Sequence, residues 1–246
     1  MEYKETYREL VKFPMLVGDQ GSLTPTEKSL LGHFILLARP RLIIELGVFR
    51  GVTTQFICEF LHENEIDAKV LGFDLPDVVA ELRKTNTPIR NWEETSRLQL
   101  IPGQLPTILE NWLCISNEPV DFALVDANHS YGSVIGELRL LWPRLSENGY
   151  IFCHDYSSKH EGVQYAVDRF AAKQRAMVLS LNSSSRARDA GHTSVLVALC
   201  HHPYKVRLSR LWHHFSLKAK SDLLKYSILR KMWENWVRPV LRRGDR

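Results

Sequence analysis

The sequence predicts an α/β fold: a Rossmann-like, doubly wound seven-stranded sheet with an antiparallel last strand, N-terminal helices and a basic helical C-terminal tail. Three observations predict it. Short apolar runs alternate with amphipathic stretches between residues 24 and 200. Most of the runs are apolar on both faces, as strands buried between two helix layers must be. Positive charge gathers beyond residue 200: His201 to Arg246 holds twelve Lys or Arg against three acids, within a chain of net charge +4. The expected organisation is one domain over residues 1–200 with an N-terminal helical cap, and a basic amphipathic tail over 201–246.

The elements follow in order. "TPTEKSLLGHFILLAR" opens with Thr24 as N-cap, Pro25 at the first helical position and Glu27 as capping-box partner, so a helix precedes the sheet. "RLIIEL", "KVLGFD", "RLQLIP", "VDFALVD", "GYIFCHD", "AMVLSL" and "TSVLVALC" read as strands of four to eight residues. "VTTQFICEFLHEN", "LPTILENWL", "YGSVIGELRLLWPRL" and "EGVQYAVDRFAAK" read as helices long enough for right-handed crossovers. The polar "NSSSRARDAGH" suits a hairpin and places the final strand antiparallel, at or near an edge. "PDVVAELRKTNTPIRNWEETS" reads as a loop that shapes an acceptor pocket.

Composition excludes several classes. With 246 residues and 44% hydrophobic content the chain can bury a full core, so intrinsic disorder is not expected. "MEYKETYREL" has no signal-peptide core, and no run of about 18 uncharged apolar residues occurs, which points to the cytoplasm. Cys58, Cys114, Cys153 and Cys200 form no CxxC pair and are expected as buried free thiols. In the tail, Leu224, Ile228, Met232, Trp236 and Val240 recur at helical spacing beside Lys225, Arg230, Lys231 and Arg238. That stripe fits the body, a second subunit in a homodimer, or an anionic membrane surface that would hold the protein peripherally. Nucleic acid is not an expected partner: the chain has no RNA-binding module.

In doubly wound folds, ligands bind beyond the carboxyl ends of the strands, and those ends are polar here. "ELGVFRGVTT" supplies Glu45 and a glycine turn leading into a helix N-terminus, which can hold an anionic group. "GFDLPD" places Asp74 where a carboxylate can take ribose hydroxyls. Asp126 opens "DANHSY" after the fourth strand; His154 and Asp155 follow the fifth.

"IIELGVFRGVTT", "LGFD", "FALVDANHSY" and "GYIFCHDY", in this order, resemble the class I S-adenosylmethionine-dependent methyltransferases over residues 22–200. More narrowly they are similar to catechol O-methyltransferase-like enzymes and to sugar O-methyltransferases of macrolide and aminocoumarin pathways, with which cephalosporin hydroxylase proteins share sequence character. The resemblance implies a cofactor site of Glu45, Gly47, Gly51, Thr53, Asp74, Gly103, Gln104 and Asp126. It also implies a divalent metal, magnesium or manganese, held by Asp126, His154 and Asp155. His154 departs from the family pattern, which has an acid there, and a softer imidazole suits manganese, iron or zinc better than magnesium. His129, with Asp126 beside it, takes the position of the general base; the bland alternative is a cap for the helix near Tyr131. Tyr131 and Tyr156 either contact an acceptor or lid the core. The expected acceptor is a hydroxyl of a sugar, glycan-linked metabolite or other small molecule, with a phenol or catechol as alternative. A non-methylating relative, hydroxylase-like or scaffold, is the other class weighed.

Overall fold

The computed structural model describes residues 23–157, 159–181 and 196–201. The tail and the segment before Leu23 lie outside the described residues, and so do the expectations made for them. Among the described residues, no helix is long and apolar enough to cross a membrane.

Seven strands form one sheet: β1 Leu42–Leu46, β2 Lys69–Asp74, β3 Leu98–Pro102, β4 Val120–Val125, β5 Leu145–Cys153, β6 Met177–Leu181 and β7 Leu196–Cys200. Their order is β3-β2-β1-β4-β5-β7-β6. Strands β1 to β5 pair in parallel, and β7 lies antiparallel between β5 and β6, one place in from the edge. The chain winds outward from β1 in one direction to β2 and β3, and in the other to β4 and β5. The switch point therefore falls between β1 and β4.

Helix α1, Pro25–Ala38, precedes the sheet, and its capping box forms as the sequence predicts: Thr24 Oγ1 accepts from the Glu27 amide, and the Thr24 amide donates to Glu27 Oε2 at 2.8 Å. The crossovers are α2 Val52–Glu63, α3 Pro76–Thr85, α4 Thr87–Glu94, α5 Thr107–Ile115, α6 Tyr131–Leu141 and α7 Glu161–Gln174. One face of the sheet carries Phe122 and Phe152, stacked at 4.7 Å, with Phe34 of α1 edge-on to Phe152. The other buries Ile44, Leu46, Ala123, Val125 and Cys153 under Leu109 of α5, Leu138 of α6 and Val167 of α7. All five residues of β1 are buried, which explains why its run carries no polar alternation.

Two expectations are corrected. Residues 76–94 are not an extended loop but the helices α3 and α4, joined at Asn86, whose side chain caps the Ile89 amide at 3.1 Å. Pro76 and Pro88 each occupy a helix's first turn, where proline is tolerated; in sequence they look like breakers. The helices are also pinned by few apolar residues: Val79, Leu82 and Ile89 are the buried ones. Cys114 is exposed, unlike the other three free thiols, because α5 turns Leu109 and Leu113 inward and the next position faces water.

Candidate active site

Backbone hydrogen bonds continue past the strand ends and set the functional loops side by side. The Asp126 amide donates to the Leu46 carbonyl at 2.9 Å, and the His154 amide donates to Val125 at 3.1 Å. The amides of Gly47 and Gly103 donate to the carbonyls of Phe73 and Asp74, at 2.9 and 2.8 Å. The result is a crevice of about 450 Å³, within the range of small-molecule sites, lined among others by Gly47, Thr53, Asp74, Gly103, Gln104, Asp126, His129, His154 and Asp155.

Gly47 has φ +90°, and a Cβ there would lie 2.4 Å from the Asp126 carbonyl oxygen. Only glycine lets the β1 and β4 loops approach this closely. Asp74 organises the turn above it: Oδ2 accepts from the Val48 and Phe49 amides at 2.8 Å each, and Oδ1 from Leu75 at 2.7 Å. Three of the roughly four lone-pair sites on the carboxylate are thus in use, leaving one on Oδ1 for a ligand hydroxyl.

Glu45 and Gly51 do not line the crevice. Gly51 is the N-cap of α2 in a left-handed conformation. Glu45 is 1% exposed and receives the Thr54 hydroxyl at 2.6 Å, tying the end of β1 to the first turn of α2. Burial pushes its pKa up to about 8, with smaller upward contributions from Asp126 and Asp74 and an opposing one from the Thr54 hydrogen bond. A carboxyl whose pKa is raised by folding stabilises the native state fully below about pH 4.5, and that contribution is lost as pH rises to about 8. Glu45→Gln, which keeps the acceptor for Thr54, should match the wild-type Tm near pH 5 and exceed it by pH 8. The gap should be on the order of a few kcal/mol. Thermal melts across that range check this; parallel pH profiles would contradict it.

The crevice mouth carries the ionisable cluster. His129 Nε2 lies 3.0 Å from Asp155 Oδ2, and its ring centroid is 4.6 Å from that of His160. His160 Nε2 stands 3.8 Å from Asp155 Oδ1. The cap of α6 is Ser130, not His129: its side chain accepts from the Ser133 amide. Asp155 has φ 56°, a left-handed conformation that aspartate tolerates better than most residues. The two tyrosines serve packing: Tyr131 lies against Tyr165, and the Tyr156 hydroxyl donates to Asp168 at 2.7 Å.

His154 is 7% exposed and sits among carboxylates, with Nδ1 3.1 Å from Asp126 Oδ1 and 3.6 Å from Asp155 Oδ2. Its Nε2 faces Glu27 Oε2 at 3.6 Å, an ion-pair distance longer than a hydrogen bond. Burial opposes charge on the ring, but Asp126, Glu27 and Asp155 outweigh it and raise the pKa well above that of free imidazole. Burial likewise raises Asp126, only partly offset by His154, whereas Glu27 is lowered because His154 and Thr24 outweigh its burial. The donor set of Asp126, His154 and Asp155, with ligand atoms within 4.8 Å of one another, fits a divalent cation. Glu27, whose Oε2 lies 3.6 Å from the far ring nitrogen, would supply the outer carboxylate that ligating histidines commonly have. A cation there competes with the proton on Nδ1.

Residues 44–156 match a family model described as a methyltransferase domain. The fold of the described residues is shared with an O-methyltransferase from Bacillus cereus in complex with S-adenosylhomocysteine. There the TM-score is 0.59 at 15% identity, covering 81% of this chain and 89% of the other. The O-methyltransferase TomG from Streptomyces achromogenes, involved in tomaymycin synthesis and in complex with S-adenosylmethionine, gives a TM-score of 0.61 at 14% identity, covering 82% and 96%. CalS11, a TDP-rhamnose 3'-O-methyltransferase of calicheamicin biosynthesis, gives 0.57 at 15% identity, covering 70% and 78%. Among curated proteins none matches the chain.

Sequence reasoning missed several residues of the candidate site. Glu27 was visible only as a helix cap, and its approach to His154 joins segments remote in sequence. Thr54, rather than the neighbouring Thr53, bonds Glu45. Gly162 has a steric role: a Cβ there would sit 2.3 Å from the His129 carbonyl oxygen, so the first turn of α7 can lie on the "DANHSY" loop only with glycine at this place.

Proposed function

We propose that the chain transfers the methyl group of S-adenosylmethionine to a hydroxyl oxygen of a small-molecule acceptor, a saccharide or glycan-linked hydroxyl before a phenol. The observation that carries this reading is the His129–Asp155 pair, 3.0 Å apart, at the mouth of the crevice that Gly47 and Asp74 line. A partly exposed imidazole held by a carboxylate can take the acceptor's proton as the hydroxyl oxygen attacks the methyl carbon. The carbon–sulfur bond breaks, S-adenosylhomocysteine leaves, and Asp155 stabilises the imidazolium. Asp126, His154 and Asp155 would hold a divalent cation, which supplies a Lewis acid that lowers the acceptor hydroxyl's pKa. The saccharide preference is supported by the ionisable cluster of His129, Asp155 and His160 and by the shared fold of CalS11, a TDP-rhamnose 3'-O-methyltransferase.

The test is S-adenosylhomocysteine formation with sugar-nucleotide, glycan and catechol acceptors, with and without chelator. Acceptor-dependent product is expected, with turnover falling more than tenfold in chelator and returning with magnesium or manganese. Full turnover in chelator removes the cation from the mechanism, and absence of any S-adenosylmethionine binding removes the reading.

A further inference from the structure

One wall of the crevice contains a buried acid that the mechanism above does not use. Glu137 of α6 is 0% exposed, lines the crevice, and has no hydrogen-bond partner on either carboxyl oxygen among the described residues. Buried polar groups in folded proteins nearly always have partners, and an orphan that faces a binding site is most simply explained by a partner that arrives with the ligand. Burial alone pushes the Glu137 pKa up to about 8, so near neutral pH it is a carboxylic acid with one O–H donor and one carbonyl acceptor, both unspent.

Its position selects the ligand. Glu137 and Ser133, four residues apart on one face of α6, both line the crevice. Six residues separate Glu137 from Tyr131, where α6 begins beside His129, which places it about 9 Å further along the helix. The adjacent Gly136 backs onto the loop after β3: a Cβ there would lie 3.6 Å from Pro106 Cγ. Leu75, Val78 and Leu105 supply apolar walls to the same crevice. A slot with apolar walls and a donor–acceptor pair in its wall fits a flat heteroaromatic ring whose edge presents an amino group next to a bare ring nitrogen.

Resting on the S-adenosylmethionine reading, we propose that Glu137 reads the adenine base of the cofactor, its carbonyl oxygen accepting from the N6 amino group and its hydroxyl donating to the adjacent ring nitrogen. An ionised carboxylate could accept from N6 but would meet the ring nitrogen lone pair with another lone pair. A glutamine amide reproduces both bonds; a leucine reproduces neither. Among the described residues, the thiol of Cys153 at the end of β5 feels the charge of Glu137, and burial holds that thiol protonated well above this range.

Calorimetric titration of S-adenosylhomocysteine into three full-length proteins tests this. At pH 7, Glu137→Gln should bind within about threefold of wild type, and Glu137→Leu should bind roughly ten- to a hundredfold more weakly, on the scale of one bidentate base contact. The ligand-free Glu137→Leu protein should melt no lower than wild type, since it loses an unsatisfied buried acid. From pH 7 to pH 9 wild-type affinity should fall about tenfold as Glu137 ionises, and Glu137→Gln should remove that fall. The pH comparison needs only the glutamine variant, so it stands even if the leucine variant does not fold. Unchanged affinity in Glu137→Leu, or the same pH dependence in Glu137→Gln, overturns the assignment and leaves the methyltransferase reading intact. A wild type that does not bind S-adenosylhomocysteine overturns both.

Discussion

His129→Ala is expected to lower kcat by about two to four orders of magnitude while leaving the Kd for S-adenosylhomocysteine within about threefold. The split follows from where the side chain sits. His129 projects at the mouth of the crevice, 42% exposed, and pairs with Asp155; it takes no part in the hydrogen bonds that shape the glycine turn. Removing it deletes the proton acceptor without disturbing Gly47, Thr53 or Asp74. A stopped assay for S-adenosylhomocysteine, run beside calorimetry on the same preparations, separates the two effects. Retained kcat would mean that another group, or water, takes the proton. A loss confined to cofactor affinity would place His129 against the cofactor rather than the acceptor.

The legible parts of this molecule are those where one local signal suffices. The capping box of α1 was readable because Thr24, Pro25 and Glu27 are neighbours in sequence. Most of the strands were readable because they bury an apolar run on both faces, as β1 does along its whole length. The cluster at the strand ends was readable because parallel strands align their carboxyl ends at one rim, so Asp74, Asp126, His154 and Asp155 had to meet there once the fold was right. What escaped depends on distances between remote segments. Glu27 had already been given a complete role as a cap, and nothing local reports that its carboxylate also faces His154. Glu137 lies in a helix whose pattern reads as amphipathic, where an acid is expected to face water; only the packing of α6 shows it fully buried. Helices α3 and α4 were missed because they depend on three buried residues and a side-chain cap rather than on a continuous apolar stripe.

Gly47→Ala should destabilise the fold by about 2–5 kcal/mol, and with it the crevice. Two costs combine. The backbone sits at φ +90°, where any Cβ is strained, a penalty on the order of 1–2 kcal/mol. The new methyl would also lie 2.4 Å from the Asp126 carbonyl oxygen and 2.6 Å from Ala127 Cα, and forcing an extra carbon into packed structure costs about 1–3 kcal/mol. Neither neighbour can rotate away, because both are backbone atoms and the Asp126 amide is bonded to the Leu46 carbonyl one residue before the glycine. The β1 and β4 loops must separate, moving Asp126 from His154 as they do. Gly51→Ala provides the control: φ is +75°, but its Cβ would meet side-chain atoms rather than backbone, Ile89 Cγ1 at 3.0 Å and Asn86 Nδ2 at 3.3 Å, which can shift. In a domain of this size Gly47→Ala should lower Tm by about 10 °C, and Gly51→Ala by roughly half as much or less. Differential scanning calorimetry distinguishes them. Equal losses would show that backbone conformation, not the approach of the two loops, sets the cost at both glycines.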